Sequence, residues 1–511
     1  MTGYLMRRFG PLLFAALSGC TLIPDYHRPA LPVSAIWPQG AAYHAGASTF
    51  VETAAADLGW RDFFVDRRLR ALIALAIREN RDLRSAASAV VQAQGQYRVQ
   101  NASLFPQIGA TGQALYQAPS DNAGLSFAPG LQQGRGNSAY ANGNVFKYYQ
   151  ADIGFSAYEV DFFGRIRSLS REAADRALSQ SANQRTLLIS VIAQVATTYV
   201  AWLAHGEELR ITGQTMASRG ETLRLTRASF DSGEASQLTL RQVEGQFQQA
   251  AADYAQFQRQ VAQDENELAL LVGAPLPKDL PPPAPFGQQT LLADLPAGLP
   301  SDLLDRRPDI QAAEFSLLAA NDDIGAMRAA FFPRVILTAS NGVSSLQFHN
   351  LFTRGGTTFG LNPQIQIPLF TWGQNEGNLQ ASRAMRNQRV AAYEKAVQTA
   401  FHEVSDALTA RATYLDQSRQ VDALVMSWAD ACRLARARFD AGVDSYLTTL
   451  DAERTLYAAQ RSRIEVQAAR YQNLITVYRA LGGGWHDDTA RPGMKNADGG
   501  AAPFADVRHA G

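Results

Sequence analysis

The sequence predicts an internally duplicated α+β membrane protein. Three observations carry that prediction: a helical-hairpin segment that occurs twice, one-sided strands of membrane-spanning length, and proline-free runs of about 65 residues. Residues 227–244 read RASFDSGEASQLTLRQVE and residues 436–453 read RARFDAGVDSYLTTLDAE, identical at 9 of 18 positions. Phe230 matches Phe439, Gly233 matches Gly442, Ser236 matches Ser445 and Leu238 matches Leu447, all at an offset of 209. A second anchor sets Leu104-Phe105-Pro106-Gln107 against Phe331-Phe332-Pro333-Arg334 at an offset of 227. A period near 200 residues is too long for a solenoid, so one architecture has been built twice.

Each copy begins with a helix. Over 66–102, Ala71, Leu72, Leu75, Ala76 and Leu83 recur at helical spacing without proline, which predicts one helix; Phe105-Pro106 stops it. The period then changes to two. Ile108, Ala110, Gly112 and Ala114 mark a first strand, residues 150–160 a second and 334–343 a third. The clearest strand is the fourth. Phe359, Leu361, Pro363, Ile365, Ile367 and Leu369 alternate with uncharged polar or small residues, and about eleven residues fit a tilted transmembrane strand. Of these, Phe359, Leu361, Ile365 and Ile367 are the candidate lipid-facing side chains. The extra 18 residues of the first copy fall between its strands, in a stretch holding Gly124, Gly130, Gly134, Gly136 and Gly143. Such an insertion belongs on an exposed loop.

Asp161-Phe162-Phe163-Gly164 and Phe370-Thr371-Trp372-Gly373 mark the change from strand to helix. No proline follows before Phe230 or Phe439, so each copy has a helix of about 100 Å. Gly233 and Gly442 supply the positive φ that ends these helices. Ser236 and Ser445 are placed to cap the returning ones, which end near Gly273 and Gly482. The prolines between Leu276 and Pro285 form a linker. The expected organisation is a signal peptide at 1–19, a lipid-anchored N-terminal extension at 20–60, a first repeat with its linker at 61–285, a second repeat at 299–485 and a disordered tail at 486–511.

The N-terminus carries an address. Arg7 and Arg8 precede the apolar run from Phe9 to Ala16, too short to span and typical of a cleaved signal peptide. Leu17-Ser18-Gly19-Cys20 resembles a bacterial lipobox, which implies acylation of Cys20, and Thr21 favours the outer membrane. No apolar run of spanning length is expected further on, so membrane contact must come from lipid or strands. Basic and acidic residues balance at 47 each, giving no sign of nucleic-acid binding. Cys432 is the one other cysteine, so no disulfide framework exists, and it is expected to be buried.

Four strands cannot close a barrel, since known membrane barrels start at about eight, and open edges in lipid are prohibitive. Several chains must therefore share one barrel. A dimer gives eight strands and a trimer twelve, and strand counting leaves both open.

The duplication, the FDSG and FDAGVDSYLTTLDAER hairpins, the FFP strand entry and the lipobox together resemble the TolC-like outer membrane factor family. The similarity is strongest to its lipidated NodT-like branch, which serves RND-type efflux pumps. It runs from about Trp60 to Trp485. The resemblance implies a homotrimer whose 12-stranded barrel in the outer membrane of a Gram-negative bacterium continues into a long periplasmic α-helical barrel. It also implies a periplasmic adaptor and an inner membrane pump as partners. By alignment on the turn glycine, Asp451 falls on one aspartate of the family's constriction and Thr448 on the other, where aspartate is absent; Asp444, one turn earlier, is the candidate replacement. Gly233, Ser236, Gly442 and Ser445 are candidate adaptor-docking positions, whereas Phe230, Leu238, Phe439 and Leu447 are expected to pack the tips.

An enzyme is not expected. The seven histidines are scattered, and no zinc spacing, phosphate-binding loop or nucleophile elbow occurs. No cofactor is implied beyond covalent lipid. The function expected is a passive efflux duct. The alternatives are the outlet of a type I protein secretion system and a lipid-anchored coiled-coil scaffold without a pore.

Overall fold

The computed structural model describes residues 21–34, 36–38, 40, 58–117, 146–287 and 303–487. The signal peptide, Cys20, the glycine-bearing insertion and nearly all of the tail lie outside the described residues. In chain order the elements are α1 (Trp60–Phe63), α2 (Arg67–Glu79), α3 (Arg81–Ala102), β1 (Gly109–Gln117), β2 (Phe146–Val160), α4 (Arg165–Asp231) and α5 (Gln237–Val272). The second copy follows with α6 (Leu303–Arg306), α7 (Pro308–Ala329), β3 (Arg334–Ser345), β4 (Thr357–Gln366), α8 (Gln374–Asp440) and α9 (Tyr446–Ala480). The offset of 227 superposes α3 on α7, and the offset of 209 superposes α4 on α8, end to end. Both long helices have 67 residues, or about 100 Å at 1.5 Å per residue.

The chain falls into two compact units, each drawing on both copies. One comprises residues 1–28, 92–177 and 315–390 and holds the sheet; the other comprises residues 29–91, 178–314 and 391–511 and holds the hairpin tips. In the first, four antiparallel strands run in the order β1-β2-β3-β4. Gly154 and Gly342 are required where backbones approach. A Cβ on Gly154 would stand 2.1 Å from the carbonyl oxygen of Ala339, and one on Gly342 would stand 2.2 Å from that of Ala151. Pro363 is tolerated opposite Leu337 because β4 is an edge strand.

The second unit shows the duplication at the level of packing. The expected helix over 66–102 is broken at Asn80, whose ψ of 130° leaves the helical region. Asn80 Oδ1 accepts from the Leu83 amide (3.0 Å) and caps α3, while Nδ2 donates to the Leu271 carbonyl (2.7 Å). Arg307 breaks the second copy in the matching place, and its Nη1 donates to the Ala480 carbonyl (3.0 Å). Leu271 and Ala480 are themselves 209 apart. In both copies a left-handed glycine, Gly273 or Gly482, lies against the backbone just before the break. Each returning helix thus docks its end on a polar joint.

Other expectations need correction. Helix α4 contains a stretch long and apolar enough to cross a membrane. It is half-buried there, with Ile189, Val195, Tyr199 and Val200 packed inside the unit, and the Tyr199 hydroxyl donates to Asp66 Oδ2 at 3.0 Å. Cys432 is only partly buried. The segment after Trp485 is held at its start. His486 and Asp487 accept backbone hydrogen bonds from Trp60 and Arg61, and Trp60 Nε1 donates to Asp487 Oδ1 at 2.8 Å.

Candidate functional site

The strand register sorts side chains by chemistry. Opposed pairs Ala110–Ile153, Ala114–Tyr149 and Gly112–Ala151 continue through Phe155–Ala339 and Ala151–Val343 to Ala339–Leu361 and Asn341–Phe359. Residues directly opposite share a face, so this face is mostly apolar. Phe359 (75% exposed), Leu361 and Ile365 stand out from it. The opposite face gathers Thr111, Gln150, Asp152, Ser340, Thr358, Asn362 and Gln364. There the Asp152 carboxylate accepts from Thr111 Oγ1 at 2.9 Å and from Gln150 Nε2 at 3.3 Å. Ile367 is exposed but lies beyond the strand. Pairing stops at Arg334–Gln366, because β3 begins there and Pro368 has no N–H to extend the ladder.

Aromatic side chains stand at both strand ends, and among them Phe370 and Trp372 were expected only to mark the change from strand to helix. Tyr116 and Tyr149 share a hydroxyl hydrogen bond (2.8 Å) at one end, with Phe348 against Tyr149 and Phe352 exposed nearby in sequence. Past the other end of β4, Phe370 and Trp372 (99% exposed) project from the strand-to-helix corner. Aromatics flanking an apolar strand at both ends are the signature of a membrane interface. That signal was available in the FTW and FHNLF stretches.

At the tips, Gly233 (φ 82°) and Gly442 (φ 72°) end α4 and α8 in the left-handed region. The amides of Gly233 and Glu234 donate to Phe230 and Ser229, and those of Gly442 and Val443 to Phe439 and Arg438, closing both helices in the same way. The caps differ. Ser236 Oγ accepts from the Thr239 amide at 3.1 Å. Ser445 makes no such bond, because the Thr448 amide it would serve already donates to the Ser445 carbonyl. Leu238 (69% exposed) and Leu447 do not pack the tips; Phe439 does, against Tyr446 with ring centroids 4.9 Å apart.

The aspartates divide. Asp444 takes two hydrogen bonds from Arg438, from Nε at 2.6 Å and Nη2 at 3.1 Å, tying the end of α8 to the start of α9. This Arg438 bond holds its carboxyl below the usual range. Asp451 stands on an exposed face of α9 (side chain 62% exposed), with Arg454 one turn on at 2.7 Å. Thr448 is exposed. Ala235 and Gln242 occupy the matching places in the first copy, so these charges belong to the second hairpin alone. Deeper in the helices, Tyr457 of α9 donates to Asp253 Oδ2 of α5 (3.1 Å) and meets Thr212 Oγ1 of α4 (2.8 Å), joining the two hairpins.

Comparisons with known proteins agree with this architecture. The model of the outer membrane efflux protein family matches residues 72–274 and 299–483. The toluene efflux pump outer membrane protein TtgC of Pseudomonas putida is 42% identical over 475 residues, covering 93% of this chain and 95% of the relative. Outer membrane protein OprJ of Pseudomonas aeruginosa is 36% identical over 478 residues, covering 93% and 95%. Among solved structures, the open state of the MtrE outer membrane channel of Neisseria gonorrhoeae superposes with a TM-score of 0.81 at 34% identity. It covers 92% of this chain and 100% of that one.

Proposed function

Because this chain belongs to the outer membrane efflux protein family, we propose that it is one subunit of a homotrimeric export duct, supplied by an inner membrane pump through a periplasmic adaptor. The sheet carries the reading. Among the described residues it has four strands, two unpaired edges and one exposed apolar face. Lipid does not tolerate unpaired edges, so β1 of one chain must pair with β4 of another. Eight strands from two chains would enclose a space filled by side chains. Twelve from three leave a lumen, lined by the face that bears Asp152 and the uncharged polar residues. The protein is in the outer membrane of a Gram-negative cell, where relatives of this kind are efflux channels. Relatives named for toluene, solvent and antibiotic efflux support small apolar and amphiphilic molecules as cargo.

Asp451 is the charge that narrows the periplasmic end, and Asp444 pins the hairpin behind it. The exposed tip around Gly233, Ser236, Leu238, Gly442, Ser445 and Leu447 receives the adaptor. Cys20 carries the acyl anchor. Conductance of the purified protein in planar bilayers tests the duct: channels are expected, and Asp451→Asn should raise basal conductance roughly twofold or more while lowering cation preference, as neutralising a charged ring does. Absence of channels from both wild type and variant would leave only a scaffold.

A further inference from the structure

We infer that the roots of β1 and β4 form a clasp between subunits, in which Trp372 of one chain stacks on Phe105 of the partner subunit. The inference rests on the homotrimer proposed above and supplies its side-chain contacts and strand register. Within one chain the two copies meet where β2 pairs with β3. Just beyond the paired ends, Phe163 stacks on Phe332, with ring centroids 4.7 Å apart and planes 24° from parallel. Val160 and Tyr158 pair with Val335 and Leu337 beside them. In a closed ring, β4 against β1 of the partner subunit is this same junction one copy further on. The offset of 209 carries Phe163, Val160 and Tyr158 to Trp372, Leu369 and Ile367. The offset of 227 carries Phe332, Val335 and Leu337 to Phe105, Ile108 and Ala110. Aromatic meets aromatic again, and apolar meets apolar.

The large side chains of this set are bare in the single chain. Trp372 is 99% exposed and Phe105 66%, and Ile108, Ile367 and Leu369 are exposed as well. Scattered apolar residues on a surface need no explanation, but these fall on the two edges that must pair. The register supports the match. β2 is bulged between Phe155 and Tyr158, whereas β4 pairs residue by residue along its length. Counting back from Ile367 opposite Ala110 of the partner subunit, Ile365 falls opposite the partner's Gly112, Pro363 opposite the partner's Ala114 and Leu361 opposite the partner's Tyr116. Every pair joins the apolar faces of both strands, and a slip of one residue would set Gln364 and Gln366 against the apolar row. The alternation that runs past Gln366 to Ile367 and Leu369 then has a partner strand, which β3, starting at Arg334, does not provide. Each chain offers Trp372 on one edge and Phe105 on the other, so the contact is head-to-tail and repeats until the ring closes.

Full-length protein in a Cys432→Ala background tests the clasp. Ile365→Cys with Gly112→Cys should oxidise to covalent dimers and trimers on denaturing gels, about tenfold more than Ile365→Cys with Ala110→Cys or with Ala114→Cys, since only directly opposed Cβ atoms come within disulfide reach. Trp372→Ala should lower the temperature at which trimers dissociate on semi-native gels by roughly 5–10 °C, through loss of the stack. Trp372→Phe should recover most of that shift. In a Phe105→Ala background, Trp372→Ala should add little, because the partner ring is already gone. If Phe105→Ala does not assemble, Phe105→Leu closes the same cycle. An indole that meets only lipid headgroups would cost as much without Phe105 as with it, so additive losses overturn the stack. Trimers that crosslink equally through the displaced pairs overturn the register. In both cases the homotrimer stands. Wild-type protein that forms no trimer refutes the homotrimer, and the clasp with it.

Discussion

Glu208 shows how one residue can set the pH response of a long helix. It is 4% exposed on α4, and burial pushes its carboxyl up to about 7, opposed by Arg461 and His205 and reinforced by Glu465. His205 bonds Asp264 (2.6 Å), which raises the imidazole. A raised carboxyl means that the folded state holds the proton more tightly than the unfolded one. Stability therefore falls as pH climbs from the ordinary glutamate value of 4.5 to about 7 and is flat above that. Glu208→Gln removes this loss. Thermal melts followed by circular dichroism should show the variant more stable than wild type at pH 8 by about 1–3 kcal/mol, with the gap closing toward pH 5. Asp444 behaves oppositely. Arg438 lowers its carboxyl, so the hairpin pin holds at neutral pH and is lost only in acid as pH falls through that lowered value. The shift at Glu208 was not legible from sequence, because the residue has no motif and Arg461 and Glu465 reach it from α9, about 250 residues further along the chain.

At the scale of elements, period and punctuation carried most of the reading. Alternation located four strands, and the absence of proline located two 67-residue helices. The turn glycines marked their ends. What misled was anything settled by a neighbour. Asn80 looks unremarkable within a helical stretch, yet its side chain is bound to Leu271, 191 residues away. Ser445 repeats Ser236 in sequence but not in capping, since the first turn of α9 is closed by backbone. Arg307 tests the joint. It is buried and bonds Asp309, Glu403 and the Ala480 carbonyl. Arg307→Ala should destabilise the second unit by about 3–5 kcal/mol, because the carboxylates lose their cation; chemical denaturation in detergent measures it. Gly342→Val should be worse for the sheet. A side chain there meets the β2 backbone, so outer-membrane yield should fall below detection on heat-modifiability gels while protein accumulates in the periplasm.

At the scale of the molecule, the decisive property is incompleteness. Among the described residues, the sheet of one chain has two unpaired edges and an exposed apolar face. Crosslinking or native mass spectrometry in detergent should find trimers and no stable folded monomer. Predominant dimers would refute the twelve-strand barrel. The amino-acid order alone determined that the architecture is built twice, that its strands suit lipid and that its helices are long, because these follow from periods within a single stretch of chain. Tertiary structure alone decided which buried charges meet. Arg307 is locked in a joint with Ala480 and Glu403, and Glu208 is buried within reach of Arg461 on α9. Those outcomes depend on which distant segments meet, and local sequence does not encode a meeting.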